Sequence, residues 1–146
     1  MHEALDALER RLGHTFADRR RLERAPTHPS YSAEHPGAEH QQALAFLGDA
    51  VLALVVAEHL WQAEPTAPVG RLTSQRGELV ADETLAQWAV ALELGALLRL
   101  GRGAEQTGGR QTVSMLATAL EALLGALYAE AELPAVRRVV GGLAGW

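Results

Sequence analysis

The sequence predicts an all-α protein, organised as one domain over residues 1–146. Apolar residues recur at the spacing of a helix in most segments, and no segment alternates apolar and polar residues as a half-buried strand would. Proline and glycine residues separate these segments from one another. A hydrophobic fraction of 48% over 146 residues is typical of a folded domain with its own core.

The first part of the chain is predicted to form two short helices and a loop. Residues 3–12 carry three leucines at helical spacing, with charged residues between them. Asp18 can cap a second short helix, which Pro26 should end. The segment THPSYSAEHPG, 27–37, is rich in turn-forming residues and is predicted to be a loop.

Helices also dominate the rest of the chain. Their predicted bounds are about 39–62, 70–81, 82–94 and 112–130, with a final short helix opened by Pro134 and a glycine-rich loop over 101–109.

Composition limits the kinds of function. There is no cysteine, which excludes a disulfide framework and a thiolate metal site. The net charge is −5 although all thirteen basic residues are arginine, whereas a broad footprint on phosphates usually requires a basic balance. Any binding of nucleic acid must therefore be local, weak, bridged by a metal or pooled over an oligomer.

The expected location is the cytoplasm, with no membrane partner. We expect no apolar run to reach the roughly 18 to 20 residues that span a bilayer. The N-terminal stretch MHEALDALERRLGH is amphipathic and charged, unlike a signal peptide.

Two acids stand alone on two apolar helices. The stretch QALAFLGDAVL, 42–52, contains Asp49, and TVSMLATALEALLGALYAE, 112–130, has Glu121 as its single mid-helix acid. Each acid can pair with a helix end or an arginine, which is the more common role of one buried acid. Two such acids on two core helices favour a shared site instead, because carboxylates from facing helices hold hard divalent cations.

Three blocks of the sequence resemble the endonuclease domain of ribonuclease III. They are FLGDAVL at 46–52, TGGRQTVSMLATALEALLGALY at 107–128 and LGHTFADRRRLERAPTHPSYS at 12–32. The resemblance implies an all-α domain that forms a homodimer and uses an acidic cluster with Mg²⁺, for which Mn²⁺ can substitute, to hydrolyse double-stranded RNA. No small-molecule cofactor is implied, and the C-terminal RNA-binding domain of full-length members is expected to be absent.

The resemblance also assigns roles to single residues. Asp49 and Glu121 match retained family acids and are implied to be catalytic and metal-binding. Phe46 matches the aromatic residue that inserts into the partner subunit, although a position in the chain's own core is equally open. Four positions that are acidic in the family are neutral here: Gln42, Ala45, Val69 and Thr118.

Weaker matches suggest contacts with RNA. They are His28 in THPSY, Thr73 and Arg76 in LTSQR, and Arg110 in the GGR loop. Each segment also has a purely structural explanation. It is a local turn for THPSY, an exposed helix for LTSQR, and a turn with a helix cap for GGR.

Two functions follow from the resemblance. The pattern of lost acids is similar to that of the short mini-ribonuclease III proteins, which are implicated in maturing large-subunit ribosomal RNA. The first hypothesis is therefore a Mg²⁺-dependent endoribonuclease that acts on double-stranded or structured RNA. The alternative is a catalytically inactive dimer of the same fold that binds RNA or the ribosome.

Overall fold

A computed structural model describes residues 2–146, and this part of the chain folds into helices without a β-strand. The prediction of an all-α fold is therefore confirmed. The helices are α1 His2–Leu12, α2 Arg19–Arg24, α3 Pro29–Glu34, α4 Gln42–Ala63, α5 Val69–Leu79, α6 Asp82–Ala91, α7 Arg102–Gln106 and α8 Val113–Ala144, with 3₁₀ turns at Leu94–Leu97 and Gly109–Gln111.

Two helices lie where loops were predicted, α3 within 27–37 and α7 within 101–109. His28 caps α3, because its Nδ1 accepts a hydrogen bond from the Ser30 N–H. The carboxylate of Glu34, at the end of α3, in turn accepts from the Arg102 N–H at 2.7 Å and so caps α7. Each short helix is held by such contacts, which turn-forming residue types alone do not reveal.

The break predicted near the end of α8 is present. A separate short helix was predicted to begin at Pro134, and the span Val113–Ala144 consists of two helical parts that meet at a kink. The backbone is non-helical at Glu132, where φ is 62° and ψ is −164°. The break lies two residues before Pro134, because proline has no N–H to donate and its ring clashes with the preceding turn.

Two buried or half-buried glutamates fasten the N-terminal segment to the fold. Glu9, with 6% of its surface exposed, accepts hydrogen bonds from the Phe16 N–H at 2.7 Å and from Arg19 Nη1 at 3.2 Å. Glu130 on α8 accepts from the Ala17 N–H at 2.6 Å. The turn between α1 and α2 is thereby tied to both α1 and α8.

Helices α4 and α8 are long and apolar enough, by length and composition, to cross a membrane. The prediction that no apolar run is long enough was therefore wrong. Length and composition are weak grounds for a membrane span, since core helices share them. In this fold 33% of the apolar window of α4 and 56% of that of α8 are buried.

Helices α4 and α8 approach each other most closely at two glycines. A Cβ atom at Gly48 would overlap the carbonyl oxygen of Glu121 and lie 2.9 Å from the amide nitrogen of Gly125. A Cβ atom at Gly125 would overlap the carbonyl oxygen of Leu44. Only glycine fits at either position, because the atoms in the way belong to the backbone and cannot rotate aside.

We expect Gly48→Ala to lower the free energy of unfolding by about 3 kcal/mol or more, because the added methyl group must push two helix backbones apart. Urea denaturation followed by circular dichroism measures this change. Gly77→Ala on α5 is the matched control, since no atom lies within 4 Å of its Cβ position. The control should gain about 0.5–1 kcal/mol from the higher helix propensity of alanine. Equal stability of the two variants would contradict the close crossing.

Candidate functional site

Asp49 and Glu121 meet where α4 and α8 cross. Asp49 directly follows Gly48 on α4, and Glu121 supplies the carbonyl oxygen against which Gly48 packs. The two carboxyl groups share a hydrogen bond. The structure thus brings together the two acids that the sequence assigned to one site.

The surroundings of Asp49 differ from those that the apolar run suggested. Asp49 is exposed and Glu121 is half-buried. The buried face of α4 carries Gly48, Val51 and Leu52, and Asp49 lies beside that face. A run that is apolar nearly all the way round predicts a buried helix. In the structure, however, one side of α4 faces outward.

Burial and two neighbouring acids raise the pKa of Glu121 to about 8. Loss of hydration disfavours its charged form, and the hydrogen bond with Asp49 stabilises its protonated form. The negative charges of Asp49 and Asp82 raise the pKa further. At neutral pH the pair therefore holds one proton, on Glu121.

Asp82 was not among the residues selected from the sequence. It is the first residue of α6, and its charge acts on Glu121. Acidic residues are common in the first turn of a helix, where they interact favourably with the helix dipole. Nothing in the local sequence therefore distinguished Asp82. Only the packing of α6 on α8 relates Asp82 to the pair.

The pair suits one hard cation with few protein ligands. Within residues 2–146, no group of three or more His, Asp or Glu side chains is arranged to hold a metal ion. Mg²⁺ is commonly bound through one or two carboxylates, with water and phosphate oxygens completing its coordination. Two converging carboxyl groups that must share a proton fit this mode, because a cation removes the repulsion between them.

The neutral positions lie in different surroundings. Gln42 and Thr118 line one pocket of about 230 Å³ together with His28. Ala45 packs against the core from α4. Val69 begins α5, where 78% of its surface is exposed.

The residues suggested for RNA contact also differ in their exposure and in their contacts within the protein. His28 caps α3 as well as lining the pocket. Thr73 and Arg76 are exposed on α5. Arg110 is held by the protein itself, since it donates to Glu105 Oε1 at 2.8 Å and to the Gly95 carbonyl at 3.1 Å.

The outer side of α4 carries large apolar side chains. Phe46 is 83% exposed, and Leu54 and Trp61 are more than half exposed. At 100° per residue these three positions fall within one stripe along the helix. Phe46 is therefore not part of the chain's own core, and the stripe is the kind of surface that a protein partner covers.

Comparison with known proteins gives consistent matches. The family described as "Ribonuclease-III-like" matches residues 18–143. The "Ribonuclease 3" of Heliobacterium modesticaldum is 47% identical over 140 residues, which cover 94% of this chain and 60% of that protein. The "Ribonuclease 3" of Geobacter sulfurreducens is 43% identical over 137 residues, or 92% of this chain and 55% of that protein.

A solved structure has the same fold. It is a nuclease domain of ribonuclease III from Campylobacter jejuni, with a TM-score of 0.89 and 34% identity, and the match covers 95% of this chain and 94% of that one. The chain spans only 55% to 60% of the length of the two curated relatives described above.

The raised pKa of Glu121 makes the stability of the metal-free protein depend on pH. In the unfolded chain this carboxyl group ionises near 4.5, whereas in the folded protein it stays protonated up to about 8. The folded state therefore binds more protons between these values, and stability should fall as pH rises through that window.

We expect Glu121→Gln to remove this contribution. In chelator at pH 8 the variant should melt roughly 3 °C or more above the wild type, and the difference should vanish near pH 4.5. Glu78→Gln, at an exposed position on α5, is the control and should leave the pH profile of the melting temperature unchanged. A parallel profile for wild type and Glu121→Gln would contradict the shared proton.

Proposed function

The chain belongs to the ribonuclease III family, and on this basis we propose that it is a metal-dependent endoribonuclease that cleaves double-stranded or structured RNA. The observation that carries the proposal is the meeting of Asp49 and Glu121 at the crossing of α4 and α8. These are the two family acids that the sequence retains.

Mg²⁺ is the proposed cofactor, with Mn²⁺ as a substitute, and Asp49 and Glu121 would hold it. A bound ion of this kind activates water for attack on a phosphodiester and stabilises charge on the leaving oxygen. Asp49 is exposed and can be reached by an RNA phosphate, while Glu121 beside it is half-buried. Glu121 must first release the proton that it shares with Asp49, so binding should strengthen as pH rises towards 8.

A homodimer is the proposed assembly, formed through the exposed apolar stripe of α4. Phe46 has no cover within its own chain and would insert into the partner. The related Campylobacter jejuni nuclease domain is described as having a region involved in dimer formation. Two sites in one dimer would allow both strands of a duplex to be cut.

The stretch Ala43-Leu44-Ala45 before Phe46, together with Thr118, resembles the pattern of the mini-ribonuclease III proteins. Maturation of ribosomal RNA in the cytoplasm is therefore the cellular role we propose.

A second function is favoured by one observation. The site has two acids where the family cluster has more, and no third ligand joins them within the described residues 2–146. A dimer that binds RNA or the ribosome without cleaving would need neither the ion nor the missing acids. Incubation of the purified protein with long double-stranded RNA and Mg²⁺ or Mn²⁺ separates the two functions, since only the enzyme yields discrete products.

We expect Asp49→Asn to fold but to lose both metal-dependent stabilisation and cleavage, because the exchange keeps the shape and removes the charge that a hard cation needs. At a Mg²⁺ concentration about 100 times its Kd, the wild type should gain about 2.7 kcal/mol, which thermal melts with and without Mg²⁺ detect. Glu78→Gln should behave as the wild type does. A full response to Mg²⁺ in Asp49→Asn would place the ion elsewhere.

We expect Phe46→Ala to raise the dimer dissociation constant by about 30-fold or more, as loss of an aromatic anchor at an interface does. Sedimentation equilibrium measures the constant. Val90→Ala on α6 is the control, since Val90 is an exposed apolar residue on another helix. If both variants dimerise as the wild type does, or if the wild type is a monomer, the α4 stripe is not the interface.

A further inference from the structure

A second feature lies one helical turn from the carboxyl pair. It is the pocket of about 230 Å³ lined by Gln42 and Thr118, which extends between the first turns of α4 and α8. Thr118 precedes Glu121 by three residues, or about 4.5 Å along the helix axis. A group seated in the pocket would therefore be a near neighbour of whatever the two acids bind.

Gln41 lines this pocket and has an unused acceptor. Its side chain is only 2% exposed, and its Oε1 has no hydrogen-bond partner. A buried polar atom without a partner costs free energy, so such atoms are uncommon in folded proteins. The oxygen is satisfied if a ligand in the pocket donates a hydrogen bond to it.

Donors are available at the same place. The first-turn N–H groups of an α-helix have no acceptor within the helix. Neither α4, which follows Gln41, nor α8, which follows Thr112, is capped by the side chain at its start. His40 Nδ1 accepts from the Gln42 N–H at 3.3 Å, whereas Ser114 and Met115, in the first turn of α8, line the pocket and have no acceptor for their N–H groups within the helix.

The pocket has no acid in its lining. Gln42 and Thr118 stand where the family has carboxylates, and Ser114 adds a hydroxyl group. Burial and the neighbouring His40 lower the pKa of His28, which favours its neutral form. The unpartnered acceptor Gln41 Oε1 lies in the same lining as the donors of the helix ends, and this combination matches a neutral group that both donates and accepts.

The wall of the pocket is partly apolar, since Pro29 and Met115 complete it. A sugar ring combines carbon faces with hydroxyl groups, and it matches a lining of this mixed kind.

We propose that this pocket holds a ribose of the RNA strand, with its 2′-hydroxyl donating to Gln41 Oε1 and accepting from a first-turn N–H group of α4 or α8. The inference rests on the proposed function, because it places the ribose beside the phosphate that the carboxyl pair would engage. The 2′-hydroxyl is the group that distinguishes RNA from DNA. Gln41 would thus be a residue that selects RNA.

The test compares two duplexes of one sequence, one of ordinary RNA and one with 2′-fluoro sugars. Fluorine keeps the A-form helix, cannot donate a hydrogen bond and accepts one far more weakly than a hydroxyl oxygen does. Binding is measured by fluorescence anisotropy in Ca²⁺, which the same oxygen ligands can hold, and a gel verifies that the duplexes stay intact. The variants are Gln41→Met, Gln41→Leu and, as control, Gln62→Met at the opposite end of α4.

The wild type and Gln62→Met should bind the ribose duplex at least about 5-fold more tightly than the fluorinated one, since the hydrogen bond to Gln41 Oε1 alone is expected to contribute this much. Gln41→Met and Gln41→Leu should lose most of this preference, because only the hydrogen bond to the helix N–H group remains, and should melt no lower than the wild type, because the lost oxygen has no partner within the protein. Equal binding of the two duplexes by the wild type, or an undiminished preference in both Gln41 variants, would overturn the ribose pocket alone. No binding of either duplex would instead contradict the proposed function.

Discussion

The close crossing of α4 and α8 determines most of what this molecule can do. Gly48 and Gly125 let the two backbones touch, and a side chain at either position would overlap a carbonyl oxygen of the facing helix. The residues next to this contact are therefore placed with little freedom. Asp49 follows Gly48, and Glu121 carries the carbonyl group that Gly48 touches, so the two acids meet as a consequence of the packing.

This placement of the two acids lowers the stability of the metal-free protein but favours the binding of a cation. Two carboxyl groups at one crossing repel each other when both are charged, and Glu121 is half-buried as well. Burial, the hydrogen bond with Asp49 and this repulsion together raise the pKa of Glu121, so the folded protein holds a proton there. A divalent cation would replace that proton. The arrangement is unfavourable as part of a core and favourable as a cation site, which is typical of a functional position.

The sequence predicted the features that are set within single segments, but not those that depend on contacts between helices. The helical period predicted α4 and α8, and the lone acids together with the family resemblance predicted the pair, because these signals lie within single segments. The short helices α3 and α7 could not be predicted, since Glu34 of one caps the other. The exposure of Asp49, the influence of Asp82 and the unpartnered oxygen of Gln41 likewise depend on how helices face one another. Periodicity within one segment carries no such information.

The neutral residues around the crossing have a physical consequence for the same pair. Acids at positions 42, 45 and 118 would add negative charge near Glu121, and each would raise its pKa further and make the metal-free fold less stable. Gln42 and Thr118 avoid this cost and leave an uncharged pocket instead. In the proposed enzyme, metal affinity would then rest on two acids and on the RNA phosphate, while the neutral pocket would contribute to positioning the strand. Loss of family acids therefore does not by itself imply loss of a site, because Gln42 and Thr118 still line a pocket between the same two helices.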